Sequence, residues 1–178
     1  RRLASALAAR GIGDGDTAVQ HSLWADTVED EGKIWREFLA ILETVEKPVL
    51  IHTGSYETTF LREMRERHGK PREGSSTTKA MNSLVNLLSV VFAQIYFPTF
   101  SNRLKDVAGF FGFEWSEVRP SGLQSIVWRN RWEASPCRDT HDKLVKYNSE
   151  DCWALGIVAR MLRELGEPVM SSTLLLPG

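Results

Sequence analysis

Hydrophobic residues recur at steps of three and four along residues 143–162, which is typical of one long amphipathic helix. The apolar stripe contains a carboxylate, Asp151, with Tyr147 one turn before it. Burying a carboxylate is costly unless it is paired or holds a metal ion. The pattern alone favours an acid at the edge of the stripe, solvated or hydrogen-bonded to a neighbour, and leaves a metal ligand as the alternative. The stripe comprises Leu144, Tyr147, Asp151, Leu155, Val158 and Leu162.

The remaining pattern alternates helices with few strands, which indicates an α/β fold. Residues 48–52, PVLIH, form a short apolar run typical of a buried parallel strand, and a helix is predicted at 56–68. A strand is expected at 17–24 and one strongly apolar helix at 81–96. Residues 1–13 are expected to form a short helix or a poorly tied terminus.

Local signals predict where several of these elements begin. Thr27 and Asp30 have the spacing of a capping box, so a helix is expected to start at Thr27. The acids that follow, including Glu31, suit the positive end of a helix dipole and are assigned no chemistry. Residues 70–79 are polar and rich in turn formers, which predicts a loop.

Composition limits the classes of protein that are possible. A chain of 178 residues with 42% hydrophobic and 25% charged residues is expected to form one globular domain. The net charge of −1 means that any nucleic-acid contact must come from a local basic patch. No apolar run has the length of a membrane span, and the two cysteines, Cys137 and Cys152, lack metal-ligand spacing. A cytoplasmic location is therefore expected.

Two further places have residues suited to chemistry. Glu57 lies where a predicted strand ends and a helix begins, a position where open α/β sheets build their sites, although the helix dipole alone also favours an acid there. A predicted helix at 122–132 interleaves Trp128, Arg129 and Arg131. Such a pattern can stack and grip a nucleic-acid strand, but tryptophans of this kind more often pack in a core.

Five segments, in the same order, resemble the RNase H-like domain of the predicted RecB-like nuclease family, which is related to YprB-type exonuclease-like domains. They are LWADTVEDEGKIWREFLAIL, PVLIHTGSYETTFLREMRERHG, LVNLLSVVFAQIYFPTFSNRLKDVAGFFGFEW, SGLQSIVWRNRW and KLVKYNSEDCWAL. The resemblance implies an RNase H-like domain at 17–166, with a central mixed sheet flanked by helices. Residues 1–16 would then be a poorly conforming N-terminal segment and 167–178 a C-terminal tail.

The resemblance also implies a chemistry. The wider relatives are DEDD-type 3′–5′ exonucleases, in which two Mg²⁺ or Mn²⁺ ions held by carboxylates act on a phosphodiester. By position, Asp151 and Glu57 would be metal ligands, and Tyr147 would orient the attacking water. Asn86 stands about where the relatives place a further acid, and His52 could assist the metal or the phosphate.

Contacts to nucleic acid are implied for a second group of residues, with DNA or RNA as the partner. Lys105, Arg129 and Arg131 are candidate phosphate contacts, and Trp128 is a candidate stacking residue. Lys105 could equally be a solvated charge on the short helix that the sequence predicts at 103–111. Further candidate partners are other domains of a larger nuclease or helicase and a second copy of the chain. No membrane partner is expected.

The largest departure from the family lies at the front of the chain. The family's first strand carries Asp-x-Glu, whereas residues 1–13 hold no acid, and Asp14 and Asp16 have the pattern of a surface turn. The first strand is therefore expected to be lacking or altered, with weak metal binding and little catalysis. Two functions stay open: a metal-dependent 3′–5′ exonuclease-like nuclease, or a non-catalytic domain that binds nucleic acid or protein.

Overall fold

A computed structural model describes residues 6–10, 19–117 and 122–166 of the chain. Over these residues the fold is mixed α/β and predominantly helical. The elements are β1 (Ala6–Arg10), β2 (Gln20–Trp24), α1 (Glu31–Glu43), β3 (Ile51–His52), α2 (Tyr56–His68), α3 (Ser76–Asn82), β4 (Val85–Asn86), α4 (Leu87–Gln94), α5 (Leu104–Phe110), α6 (Gly122–Ala134) and α7 (Arg138–Gly166).

The described strands form two small sheets. In the first, β1 runs antiparallel to β2, from Ala6 opposite Trp24 to Arg10 opposite Gln20. The expectation of a helix or a loose terminus was therefore wrong for residues 6–10, because pairing with β2 satisfies the backbone of this segment. In the second sheet β3 runs parallel to β4. The predicted parallel strand is thus confirmed, although only its last two residues are extended.

The apolar stretch at 81–96 is not one helix, which corrects the prediction. Helix α3 starts earlier, inside the predicted loop, because the Ser75 hydroxyl caps it by accepting a hydrogen bond from the Thr78 N–H at 3.1 Å. The chain leaves the helix at Ser83 and pairs with β3. Asn86 then caps α4. Short apolar runs cannot by themselves distinguish a strand from a helix, and here the partner strand decides.

The start of α1 also differs from the prediction. The Asp30 carboxylate accepts hydrogen bonds from the backbone N–H and the hydroxyl of Thr27, each at 3.0 Å, so the two residues do interact as a capping pair would. They close a turn that precedes the helix, however, and α1 begins at Glu31. The predicted residues are therefore in contact, but the helix starts one turn later.

Two hydrophobic clusters hold the elements together. One joins β2 with α1, α2 and α3, and the other joins α4, α5 and α7. The stripe predicted on α7 is confirmed at Leu144, Tyr147 and Val158, which are all buried. None of the helices in the described ranges has the length and apolar character that a membrane crossing requires.

Candidate active site

The scaffold of the site is the pair of parallel strands. His52 and Asn86 stand opposite each other at the carboxyl ends of β3 and β4. The Asn86 carboxamide oxygen accepts hydrogen bonds from the N–H groups of Leu88 at 3.1 Å and Gly54 at 3.4 Å, and its nitrogen donates to the Gly54 carbonyl at 3.2 Å. Gly54 has a φ of 85°, a backbone conformation that favours glycine. Asn86 therefore fixes the turn that leads from β3 into α2.

Glu57 lies in the first turn of α2, just after this turn. Its Oε2 atom and the Nδ1 atom of His52 are both buried, and neither has a hydrogen-bond partner. The two atoms are 3.9 Å apart. Burial raises the pKa of Glu57, and the negative charge of nearby Asp151 raises it further. The charge of Asp151, on α7, therefore acts on Glu57, on α2, although the two residues come from different helices.

Asp151 lies on α7 with its side chain about one-third exposed. Its Oδ1 atom accepts a hydrogen bond from the Trp115 indole N–H at 2.9 Å and another from the Lys105 ammonium at 3.3 Å. The acid on the apolar stripe is therefore hydrogen-bonded to neighbouring elements, which was the first of the two interpretations. The second interpretation, a metal ligand, stays a prediction, and the electrostatic influence of Asp151 on Glu57 is compatible with it.

Tyr147 is buried one turn before Asp151 on α7. Burial raises the pKa of its phenol well above the usual range, and the charge of Asp151 together with a side-chain hydrogen bond to it adds to the rise. The hydroxyl is therefore protonated at neutral pH, so it can donate a hydrogen bond but cannot act as a base. Trp128 packs edge to face on the Tyr147 ring, with the ring centroids 6.1 Å apart.

Arg129, one of the candidate nucleic-acid contacts, lies inside the fold. Arg129 is buried, with its guanidinium 5.1 Å from the Trp24 ring centroid and 4.5 Å from that of Trp132. It donates to the Ala25 carbonyl at 3.4 Å and to the Glu133 carboxylate at 2.8 Å. Arg129 thus holds α6 to the end of β2, and its predicted contact with a phosphate gains no support.

Helix α6 carries two further candidate nucleic-acid contacts. Arg131 is exposed, and Trp128 is half-buried against Tyr147. Arg131 is therefore accessible to a ligand, whereas the described contact of Trp128 is internal. Lys105 lies at the site itself, because it pairs with Asp151.

Two residues at the site were missed by the sequence analysis. Trp115 donates to Asp151, and Glu150 accepts a hydrogen bond from the Ser116 N–H at 3.2 Å. Together these bonds tie the segment after α5 to α7. The sequence around Trp115 has no periodic pattern, so nothing marks this tryptophan as a partner of a distant acid.

The donor set fits one divalent ion better than two. Among residues 6–10, 19–117 and 122–166, no group of three or more His, Cys, Asp or Glu side chains could hold a metal ion. Mg²⁺, however, is commonly bound through one or two carboxylates, with waters and substrate phosphates completing the shell. The buried Oε2 atom of Glu57, which has no hydrogen-bond partner, is an oxygen ligand that suits such an ion. Asp14 and Asp16 lie outside the described residues.

The fold and the site together define an α/β domain in which His52 and Asn86 end two parallel strands and Glu57 lies in the first turn of the helix that follows. Residues 7–163 match the family described as the RNase H superfamily, and the chain belongs to this family. The resemblance inferred from the sequence is thereby confirmed at the level of the superfamily. No curated protein and no solved structure matches the chain.

We expect Glu57→Gln to raise the free energy of unfolding by about 0.5–1 kcal/mol in metal-free buffer. The substitution removes a charge that is penalised by burial and by the negative charge of Asp151, and the new amide can donate a hydrogen bond to His52. Urea denaturation in the presence of EDTA measures the change. Glu66→Gln, at an exposed position of the same helix, is the control and should leave the stability within about 0.5 kcal/mol. A Glu57→Gln variant less stable than the wild type would contradict this account of the site.

Proposed function

We propose that this domain is a metal-dependent nuclease that hydrolyses nucleic-acid phosphodiesters. The observation that carries the proposal is the buried oxygen of Glu57 that has no hydrogen-bond partner, near enough to Asp151 for the two charges to interact, in a chain of the RNase H superfamily. Membership of that superfamily supports nuclease-type activity. The finer part of the proposal is a YprB-type, 3′–5′ exonuclease-like action on DNA or RNA, with Mg²⁺ or Mn²⁺ as cofactor.

In this proposal Glu57 and Asp151 would hold the divalent ion, which supplies Lewis-acid activation of water and charge neutralisation at the phosphate. The oxygen of water forms a bond to phosphorus, and the bond from phosphorus to the 3′ oxygen breaks. One proton leaves the attacking water and one is delivered to the departing oxygen, which gives a 3′ hydroxyl and a 5′ monophosphate. Tyr147 remains protonated and would orient the water through its hydroxyl.

The test is cleavage of a labelled single-stranded oligonucleotide, as DNA and as RNA, with Mn²⁺, with Mg²⁺ and with EDTA. We expect metal-dependent release of mononucleotides, with Tyr147→Phe up to about 100-fold slower because it removes the hydroxyl that positions the water and keeps the ring. Blocking the 3′ end with a phosphate distinguishes exonuclease action from internal cleavage. Turnover that is unchanged in EDTA, or absent with every metal and substrate, would refute the proposal.

A second candidate is a domain that binds nucleic acid without cutting it. One observation favours it: the Lys105 ammonium already neutralises part of the charge of Asp151. This candidate predicts binding that weakens steeply with salt and is indifferent to metal. Fluorescence anisotropy with the same oligonucleotides, in EDTA and in Mn²⁺, separates the two candidates.

A further inference from the structure

Lys105 has surroundings that are unusual for a lysine on a short helix. Its ammonium is 3.3 Å from Asp151 Oδ1, 4.3 Å from the Trp115 ring centroid and 4.7 Å from the Tyr147 ring centroid. The side chain is about one-third exposed, so it is not simply extended into solvent. A carboxylate and two aromatic rings thus surround one positive charge, and each of them attracts a cation.

The same groups are those assigned to the reaction. Asp151 is the carboxylate that would bind metal, and Tyr147 is the residue that would orient water. Because Lys105 contacts both, its charge lies within the candidate active site and not on a separate surface. A divalent ion that bound the Oδ1 atom of Asp151 would meet this ammonium at short range, and like charges repel most strongly where water is partly excluded.

The donor set agrees with a site that accommodates a single metal ion. The described part of the chain supplies Glu57 and Asp151 as two carboxylates whose charges interact, and it contains no cluster of three or more metal-binding side chains. Two divalent ions bring a charge of +4, which two carboxylates neutralise only in part. One divalent ion together with one ammonium brings a charge of +3. After the two carboxylates are counted, a bound phosphodiester then has less positive charge to balance than with two divalent ions.

We propose that the Lys105 ammonium is the second cation of this site and takes the place of a second divalent ion beside Asp151. The inference rests on the proposed function, since it assigns the metal-binding role to Glu57 and Asp151. It makes Lys105 a residue that determines how many ions the site accepts and how tightly it binds them. The predicted role of Lys105 as a phosphate contact is compatible, because its charge would remain beside a bound phosphodiester.

The test is calorimetric titration of Mn²⁺ into the 178-residue chain and its Lys105→Met variant. Methionine keeps an unbranched stem against Trp115 and Tyr147 but removes the charge. We expect the variant to bind Mn²⁺ at least about tenfold more tightly, or to bind one more ion per chain than the wild type. Lys105→Arg retains a positive charge and should resemble the wild type.

Lys146→Met is the matched control, because Lys146 is an exposed lysine on the same helix as Asp151. It should leave the titration unchanged. Thermal unfolding verifies that each variant is folded, and Lys105→Gln replaces the methionine variant if that one is unstable. Superimposable titrations for the wild type and the uncharged variant, whether both bind or neither does, would overturn the inference.

The outcome for Lys105 is distinguishable from that of the proposed function. If the wild type cuts nucleic acid with metal but the uncharged variant shows no gain in affinity, the nuclease proposal stands and the Lys105 inference fails. If the wild type neither binds metal nor cuts, while the uncharged variant binds Mn²⁺, the inference stands and the native chain is not a metal-dependent nuclease.

Discussion

Asp151→Asn is expected to reduce metal-dependent cleavage at least about 100-fold and to abolish measurable Mn²⁺ binding. Mutating a residue that hydrogen-bonds to a metal ligand typically lowers metal affinity or activity about 10–100-fold. Removing the charge of the ligand itself should lower them at least about 100-fold. The amide has nearly the shape of the carboxylate, and its oxygen can still accept the hydrogen bond from Trp115. A change in activity of the Asp151→Asn variant would therefore result from the lost carboxylate charge and not from a disrupted fold.

Stability provides the check on this interpretation. The pair between Asp151 and Lys105 is partly exposed, so its loss should cost no more than about 1 kcal/mol. Asp139→Asn, an exposed acid in the first turn of the same helix, serves as the control and should keep full activity and metal binding. If Asp151→Asn is folded and cleaves as fast as the wild type, Asp151 is not a metal ligand and the proposed mechanism is wrong.

The elements that the sequence predicted well are those with long periodicity or clear ends. The stripe on α7 recurs over many turns, so its buried face could be read directly from the spacing. Helix α2 was predicted with its observed bounds, because Gly69 follows its last residue and has a φ of 97°, which favours glycine. In both cases the information is local, so the sequence alone is sufficient.

The elements that were missed depend on partners distant in sequence. Strand β4 has only two residues, and it is extended because it pairs with β3. In the same way, the sequence identified Asp151 as the unusual acid but could not predict that Trp115 and Lys105 would bind it. Only the resemblance to a family predicted Asp151 and Glu57 as ligands of one site, because periodicity does not relate residues so far apart in the sequence.

Glu31 shows how a correct local explanation can be incomplete. The helix dipole accounts for an acid in the first turn of α1, and Glu31 does lie there. The side chain is also only 1% exposed, which the dipole does not explain. Its Oε2 atom accepts a hydrogen bond from the Arg67 guanidinium and lies 3.4 Å from His68 Nε2, at the end of α2. The acid therefore joins the start of one helix to the end of another.

Because of this burial, Glu31→Ala is expected to lower the free energy of unfolding by about 3–5 kcal/mol. Removing the buried partner leaves the Arg67 guanidinium, among the described residues, with only the half-exposed Glu63 carboxylate, 3.6 Å away, and that penalty exceeds the value of the pair itself. Chemical denaturation measures the loss. Glu29→Ala, an exposed acid just before the helix, is the control and should change stability by less than about 0.5 kcal/mol.

A double-mutant cycle identifies the cause of the loss. The Arg67 side chain is only 18% exposed, and Arg67→Met removes its charge while keeping an unbranched stem. The double variant Glu31→Ala/Arg67→Met should therefore recover part of the stability that Glu31→Ala loses. The coupling energy between the two positions is expected at about 1–3 kcal/mol. Strictly additive losses would mean that Glu31 stabilises α1 through the dipole and its packing alone, and that the contact with Arg67 contributes nothing.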